Sequence, residues 1–241
     1  MSRQSVAEAS PSLPESLTRL RIPGLTRKSR HEVQLDGCAV DGAILAACSH
    51  AMRHLGGPKL ERIGILSSVH GEGRSSIAAG ITLAQAQDYG RPTLLLDIDF
   101  DGPRLADRFG VPPAPGISEL LRGRVSLDRA LQQVGDNVTL MPAGEMDMPA
   151  SRLATEFVGS GLVTELQMDF PAIVADLPPL LGSPSGVLLA EVFETTVLVV
   201  RAESTPISTV REALYSIKGS PVVMLNGTRS SLPGWLRRFF I

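Results

Sequence analysis

Three stretches of the chain set phosphate- and metal-binding residue types at the ends of apolar runs. The first is Ser67 to Ser76, "SSVHGEGRSS", between the apolar Ile63–Leu66 and the helix-like "IAAGITLAQAQ". Glycines at 71 and 73 let backbone N–H groups turn inward around phosphate oxygens, and a helix starting near Ser75 would point its positive end there. Ser75 supplies a hydroxyl for Mg²⁺. A phosphate-binding loop of this kind calls for Gly-Lys-Ser or Gly-Lys-Thr, whereas this one reads Gly73-Arg74-Ser75. The second stretch is "LLLDIDF", in which Asp97 and Asp99 end a strand and share a side because strand side chains alternate. Two carboxylates there can hold a metal-bound water or orient an attacking group. The third is "AIVADLPP", where Asp176 follows a buried run as a single Mg²⁺-binding acid would. The dinucleotide pattern G-x-G-x-x-G fails, because its third glycine falls at Ser76.

The elements that must position these groups alternate. Strands are expected at 63–66, 92–98, 138–141, 172–175, 195–200 and 222–225. Helices are expected at 75–89, 117–122, 127–133, 151–167, 184–192 and 207–217, and the periodic "CAVDGAILAACSHAMRHL" stops at Gly56-Gly57-Pro58. Nearly uninterrupted apolar runs such as "TTVLVV" suit strands buried on both faces. The expected fold class is α/β, a mostly parallel central sheet with helices on both faces.

Composition excludes several classes. A formal charge of −2 and 4% aromatic residues argue against a nucleic-acid partner. Cys38 and Cys48 cannot form a disulfide framework, and no apolar run nears the roughly 20 residues that cross a bilayer, so a cytoplasmic protein is expected. Residues 1–33 read as a disordered Ser/Pro-rich segment with five cations between Arg19 and Arg30. Residues 230–241 form an aromatic tail in which Trp235, Leu236 and Phe239 flank Arg237 and Arg238. If helical, the tail offers a stripe for an anionic membrane surface at the inner face of the plasma membrane; the alternative is packing into a groove of the domain.

Taken in order, "SSVHGEGRSS", "TLLLDIDFDGPRL", "GISELLRGRVSLDRAL", "LMPAGEMDMPASRL", "AIVADLPPLLGSPSGVLLAEVFETTVLVVRAEST" and "VVMLNGT" resemble the cytoplasmic domain of bacterial tyrosine kinases. These are P-loop ATPases of capsule and exopolysaccharide assembly. The likeness runs over 34–229. It implies ATP/ADP and Mg²⁺ as ligands, Gly71, Glu72, Gly73, Arg74, Ser75 and Ser76 as the phosphate cradle, and Asn226 at the adenine edge. It implies Asp97 and Asp99 as catalytic carboxylates, and Ser75, Asp97 and Asp176 as metal ligands. A polysaccharide co-polymerase or other membrane protein of the export complex is the implied partner, with homo-oligomers as a further assembly.

The departures matter equally. Arg74 stands for the loop lysine, Asp101 for an arginine, and His70 for a proline, and "DGAILAACSHAMRHL" lacks the family's Glu-x-x-Arg-x-x-Arg assembly pattern. Arginine is longer, planar and forked, so the exchange is not conservative at a point-charge site. Only Tyr89 and Tyr215 are present, and "SSLPGWLRRFFI" contains none, so a self-phosphorylating tyrosine tail is not expected. The leading expectation is a regulatory or scaffolding pseudo-kinase with weakened or lost ATP turnover. The alternatives are an active tyrosine kinase of the same pathway and a partition-type membrane-positioning ATPase. His50 and His54, one helical turn apart, lack a third ligand and read as structural, as do the cysteines; Glu119, Glu145 and Asp147 read as exposed acids.

Overall fold

The computed structural model describes residues 34–35 and 38–227. Both terminal segments, and with them the expected membrane stripe, lie outside the described residues. A two-residue hairpin, β1 (Gln34–Leu35) with β2 (Cys38–Ala39), precedes helix α1 (Gly42–Leu55), which Asp41 caps by accepting the Ala43 N–H at 2.8 Å.

The main sheet has seven strands in the order β5-β6-β4-β7-β3-β8-β9. These are β3 (Arg62–Ser67), β4 (Thr93–Asp97), β5 (Gln132–Gly135), β6 (Val138–Met141), β7 (Ala172–Asp176), β8 (Thr195–Arg201) and β9 (Val222–Asn226). Every pairing is parallel except β5 with β6. Alternation sorts the side chains into two cores. Ile63, Ile65, Leu95, Val174, Val197 and Val199 face α1 and α2 (Arg74–Asp88), whereas Leu94, Leu96, Ile173, Ala175, Leu198 and Val200 face the opposite layer. The expected fold class is the one found.

Helix α2 is buried from Ile77 to Ala86 because it lies between the sheet and α1. α1 meets it through Ile44 and Cys48, and a Cβ at Gly80 would lie 2.7 Å from the Cys48 sulfur, so glycine permits the close approach. Burial pushes the Cys48 thiol up to about 12, an inert packing group.

Several expected elements differ. α3 (Leu105–Phe109) was not expected. The expected helix 127–133 ends early as α5 (Leu127–Ala130), and β5 follows at once as an antiparallel edge strand. The expected helix 151–167 is two, α6 (Ala150–Ser160) and α7 (Leu162–Leu166), because Gly161 adopts a left-handed conformation with φ 69°. Helices α4 (Ile117–Leu121), α8 (Pro184–Ala190) and α9 (Ile207–Ser216) fall near their expected places.

Glu119 is not the exposed acid expected from its charge. It is buried, and its carboxylate accepts the Gly116 N–H and the Glu145 N–H, each at 2.8 Å, joining α4 to the loop after β6. Glu145 and Asp147 are exposed as expected. Hydrogen bonds to a charged group contribute about 1.5–3 kcal/mol, so Glu119→Ala should lower stability by about 2 kcal/mol or more in urea titration. A loss near zero would mean that water replaces the clamp.

Candidate functional site

The parallel strands end together at one edge of the sheet, and the acids gather there. Asp97 and Asp176 are direct neighbours in the β4–β7 register, and Ile65 of β3 stands opposite Asp176. The loop Ser68–Gly73 leaves β3 beside them and enters α2. Gly71 and Gly73 have φ of 84° and 92°, a region that side chains with a Cβ avoid. No side chain caps α2 at Gly73, so its first N–H groups present the positive helix end that suits an anion.

Arg74 does not extend along the loop toward solvent. Its guanidinium lies inside the acid cluster, 8% exposed. Nε donates to Asp176 Oδ1 at 2.7 Å, Nη1 to Ser67 Oγ at 3.1 Å, and Nη2 to Asp99 Oδ2. A planar fork reaches two carboxylates and a hydroxyl at once, which a lysine ammonium could not do in the same geometry. Removing one member of a buried charge cluster leaves its partners uncompensated.

The two aspartates of "DID" therefore do different things. Asp97 Oδ2 accepts the N–H groups of Arg104 and Leu105, at 3.0 and 2.8 Å, and opens α3. Its Oδ1 and the Oδ1 of Asp99 are buried without a hydrogen-bond partner. Burial, and then the charge of Asp176, raise the Asp97 carboxyl to about 8, against the pull of its two backbone donors. Asp99 is raised too, because burial outweighs the neighbouring Arg74. Asp101, which stands for an arginine of the family, is exposed and accepts from the Ser183 hydroxyl.

The Glu72 side chain braces the loop. It is buried and accepts N–H groups of Ser68 and Val69 at 2.6 and 3.0 Å, the Arg201 N–H at 3.1 Å, and the Thr205 hydroxyl at 2.5 Å. The loop is thus tied to the end of β8. Asn226, at the end of β9, donates its amide to the Glu72 carbonyl at 2.8 Å. It lies so near the loop that a Cβ on Gly73 would meet its Nδ2 at 2.1 Å. Ser75 is half-buried, and the Ser76 hydroxyl accepts from Arg108 of α3 at 2.8 Å. Sequence reasoning missed Ser67, Arg108, Ser183, Arg201 and Thr205; "RAEST" directly after a strand was the available cue for the last two. Beside the loop lies an open cleft of about 310 Å³, lined by His70, Gly71, Arg201, Thr205 and Pro206 among others.

Carboxylates and a serine hydroxyl suit a hard divalent cation, and the two unpartnered oxygens are free to serve it. The fit is incomplete, because the guanidinium already holds Asp176 Oδ1 and Asp99 Oδ2.

A mostly parallel sheet with a glycine loop entering a helix, and acids on neighbouring strand ends, is the arrangement of the P-loop NTPase-like proteins. No protein-family model matches the chain. It is 25% identical over 179 residues to the tyrosine-protein kinase YwqD of Bacillus subtilis, covering 72% of this chain and 75% of that one. The VpsO kinase domain superposes with a TM-score of 0.69 at 27% identity, over 78% of this chain and 94% of that chain. The septum site-determining protein MinD of Pyrococcus horikoshii, in complex with Mg-ADP, shares the fold at 22% identity and a TM-score of 0.55, over 74% and 76%. In sequence and in fold the chain is similar to bacterial tyrosine-kinase domains.

The raised Asp97 carboxyl has a consequence for stability. An unfolded aspartate ionises near pH 4, whereas the folded one keeps its proton up to about 8. Its contribution is fully present below about pH 4 and is lost as pH rises toward 8. Asp97→Asn keeps an oxygen for Arg104 and Leu105 and carries no charge. Its melting temperature should exceed that of the parent by about 3 °C or more at pH 8, and the gap should shrink at pH 5. Parallel pH profiles for the two proteins would contradict this.

Proposed function

We propose that this chain is a regulatory or scaffolding member of an exopolysaccharide or capsule assembly system, in which the tyrosine-kinase domain has lost most of its ATP turnover. The observation that carries the reading is the guanidinium of Arg74 between Asp99 and Asp176. Phosphoryl transfer needs a mobile positive charge on the β- and γ-phosphates and a metal held by the strand-end acids. Here one side chain withdraws the loop's cation and occupies the acids. Mg²⁺, when bound, would screen phosphate charge. Ser75, Asp97 and Asp176 are the residues that would hold it, and Asp176 must first release Arg74.

The rest of the loop favours retention of a nucleotide-shaped site. The α2 N-terminus is uncapped, Glu72 braces the loop, and Asn226 stands next to Gly73. Backbone donors supply much of the grip on phosphates, so ADP is the ligand class this pocket takes, with low affinity. The partner is a membrane protein of the polysaccharide export complex, such as a co-polymerase, and the working location is the cytoplasmic face of the membrane. Within the described residues, no helix is long and apolar enough to cross a membrane.

Arg74→Lys frees Asp176 and returns a compact cation to the loop. In calorimetric titration its affinity for Mg-ADP should exceed that of the parent by about tenfold, or 1.4 kcal/mol. Equal binding by both proteins would remove Arg74 as the cause. The parent, incubated with Mg-ATP, should release no phosphate above the Asp97→Asn control and should acquire no phosphotyrosine at Tyr89 or Tyr215. Turnover that Asp97→Asn abolishes would instead establish an active kinase or ATPase.

A further inference from the structure

Helix α1 carries its only two histidines, His50 and His54, on one exposed face, away from the side that packs on α2. They are four residues apart, a spacing that sets side chains one above the other. The rings are turned toward each other, with centroids 4.5 Å apart and planes tilted by 55°. Their Nε2 atoms are 3.3 Å apart. Two Zn–N bonds of about 2.0–2.1 Å meeting at a tetrahedral angle place their nitrogens about 3.3–3.4 Å apart. The pair therefore already has the bite of a chelate. A shared N–H···N contact holds the same separation without metal; on binding, the ring that carries that proton shifts it to Nδ1 and both Nε2 lone pairs turn toward the ion.

Two further features favour a cation here. Both residues lie in the last two turns of a 14-residue helix, where the carbonyl ends give the negative pole of the helix dipole. Both rings are exposed, so an ion reaches them without opening the core. Arg53 in the same turn is the opposing charge. Among the described residues no third histidine, cysteine or carboxylate completes a cluster.

We propose that His50 and His54 form a surface site for a borderline divalent transition ion, Zn²⁺ or Ni²⁺, bound through both Nε2 atoms. Water fills the remaining positions, which leaves them open to exchange for an outside ligand. Imidazole pairs suit such ions and not Mg²⁺, which requires oxygen ligands. The site lies on α1 and is independent of the nucleotide reading.

The test is calorimetric titration of the full chain with ZnCl₂ and NiCl₂. One ion per chain is expected to depend on both histidines. His50→Ala and His54→Ala should each weaken Zn²⁺ binding at least about tenfold, because losing either arm converts a chelate into a single ligand. Both residues are exposed, so the melting temperature in EDTA should not change. Undiminished Zn²⁺ uptake by the double variant would place the ion elsewhere and overturn the proposal, as would no uptake by the parent at millimolar metal.

Discussion

The buried contact between one guanidinium and two aspartates governs the chemistry of this molecule. Parallel strands bring acids to a common edge, and a cluster of ionised carboxylates in a low-dielectric setting needs a cation. In a nucleotide-binding protein of this architecture, metal and lysine share that task when ligand is present. Here a residue of the chain performs it. Arg74 satisfies Asp176 and Asp99 together, and Asp97 relieves the remaining charge by retaining its proton until about pH 8. The same guanidinium that bridges Asp99 and Asp176 holds two of the oxygens that a metal would use.

The loop around this cluster is otherwise well made. Glu72 bonds both the start of the loop and the end of β8, so strands β3 and β8, already parallel neighbours, are locked at the edge where a ligand would sit. Gly73 answers two demands at once, a left-handed turn and the close approach of Asn226. A loop that had merely decayed would have no reason to keep such bracing. The bracing of the loop is compatible with the proposed regulatory role, in which the pocket accepts an anion with reduced turnover.

Much of the architecture was legible in the sequence, and the exceptions have physical causes. β4, β7 and β8 announced themselves as apolar runs because both of their faces are covered. β5 did not, since Gln132 and Gln133 sit on an edge strand that needs no apolar pattern. α3 is only five residues long and starts on donors that Asp97 satisfies from another element. Asp97 and Asp176 were legible because they close buried strands, and Asp99 because it lies just beyond one. The direction of Glu72 was not, because its partners Arg201 and Thr205 are more than a hundred residues away in the chain. Arg74 was visible as a substitution, but whether its fork would reach outward to phosphates or inward to carboxylates depends on how near Asp99 and Asp176 come in three dimensions.

Competition between the Arg74 guanidinium and a divalent ion can be read directly by electron paramagnetic resonance of Mn²⁺, an oxygen-loving substitute for Mg²⁺. The quantity to follow is the ADP-dependent loss of the free Mn²⁺ signal. With the parent protein, adding ADP should remove no more Mn²⁺ than ADP alone does, whereas Arg74→Lys should bind an additional ion per chain. Equal ADP-dependent uptake by the two proteins would show that Arg74 yields its place to metal, and would contradict the proposal that an occupied acid cluster lowers turnover.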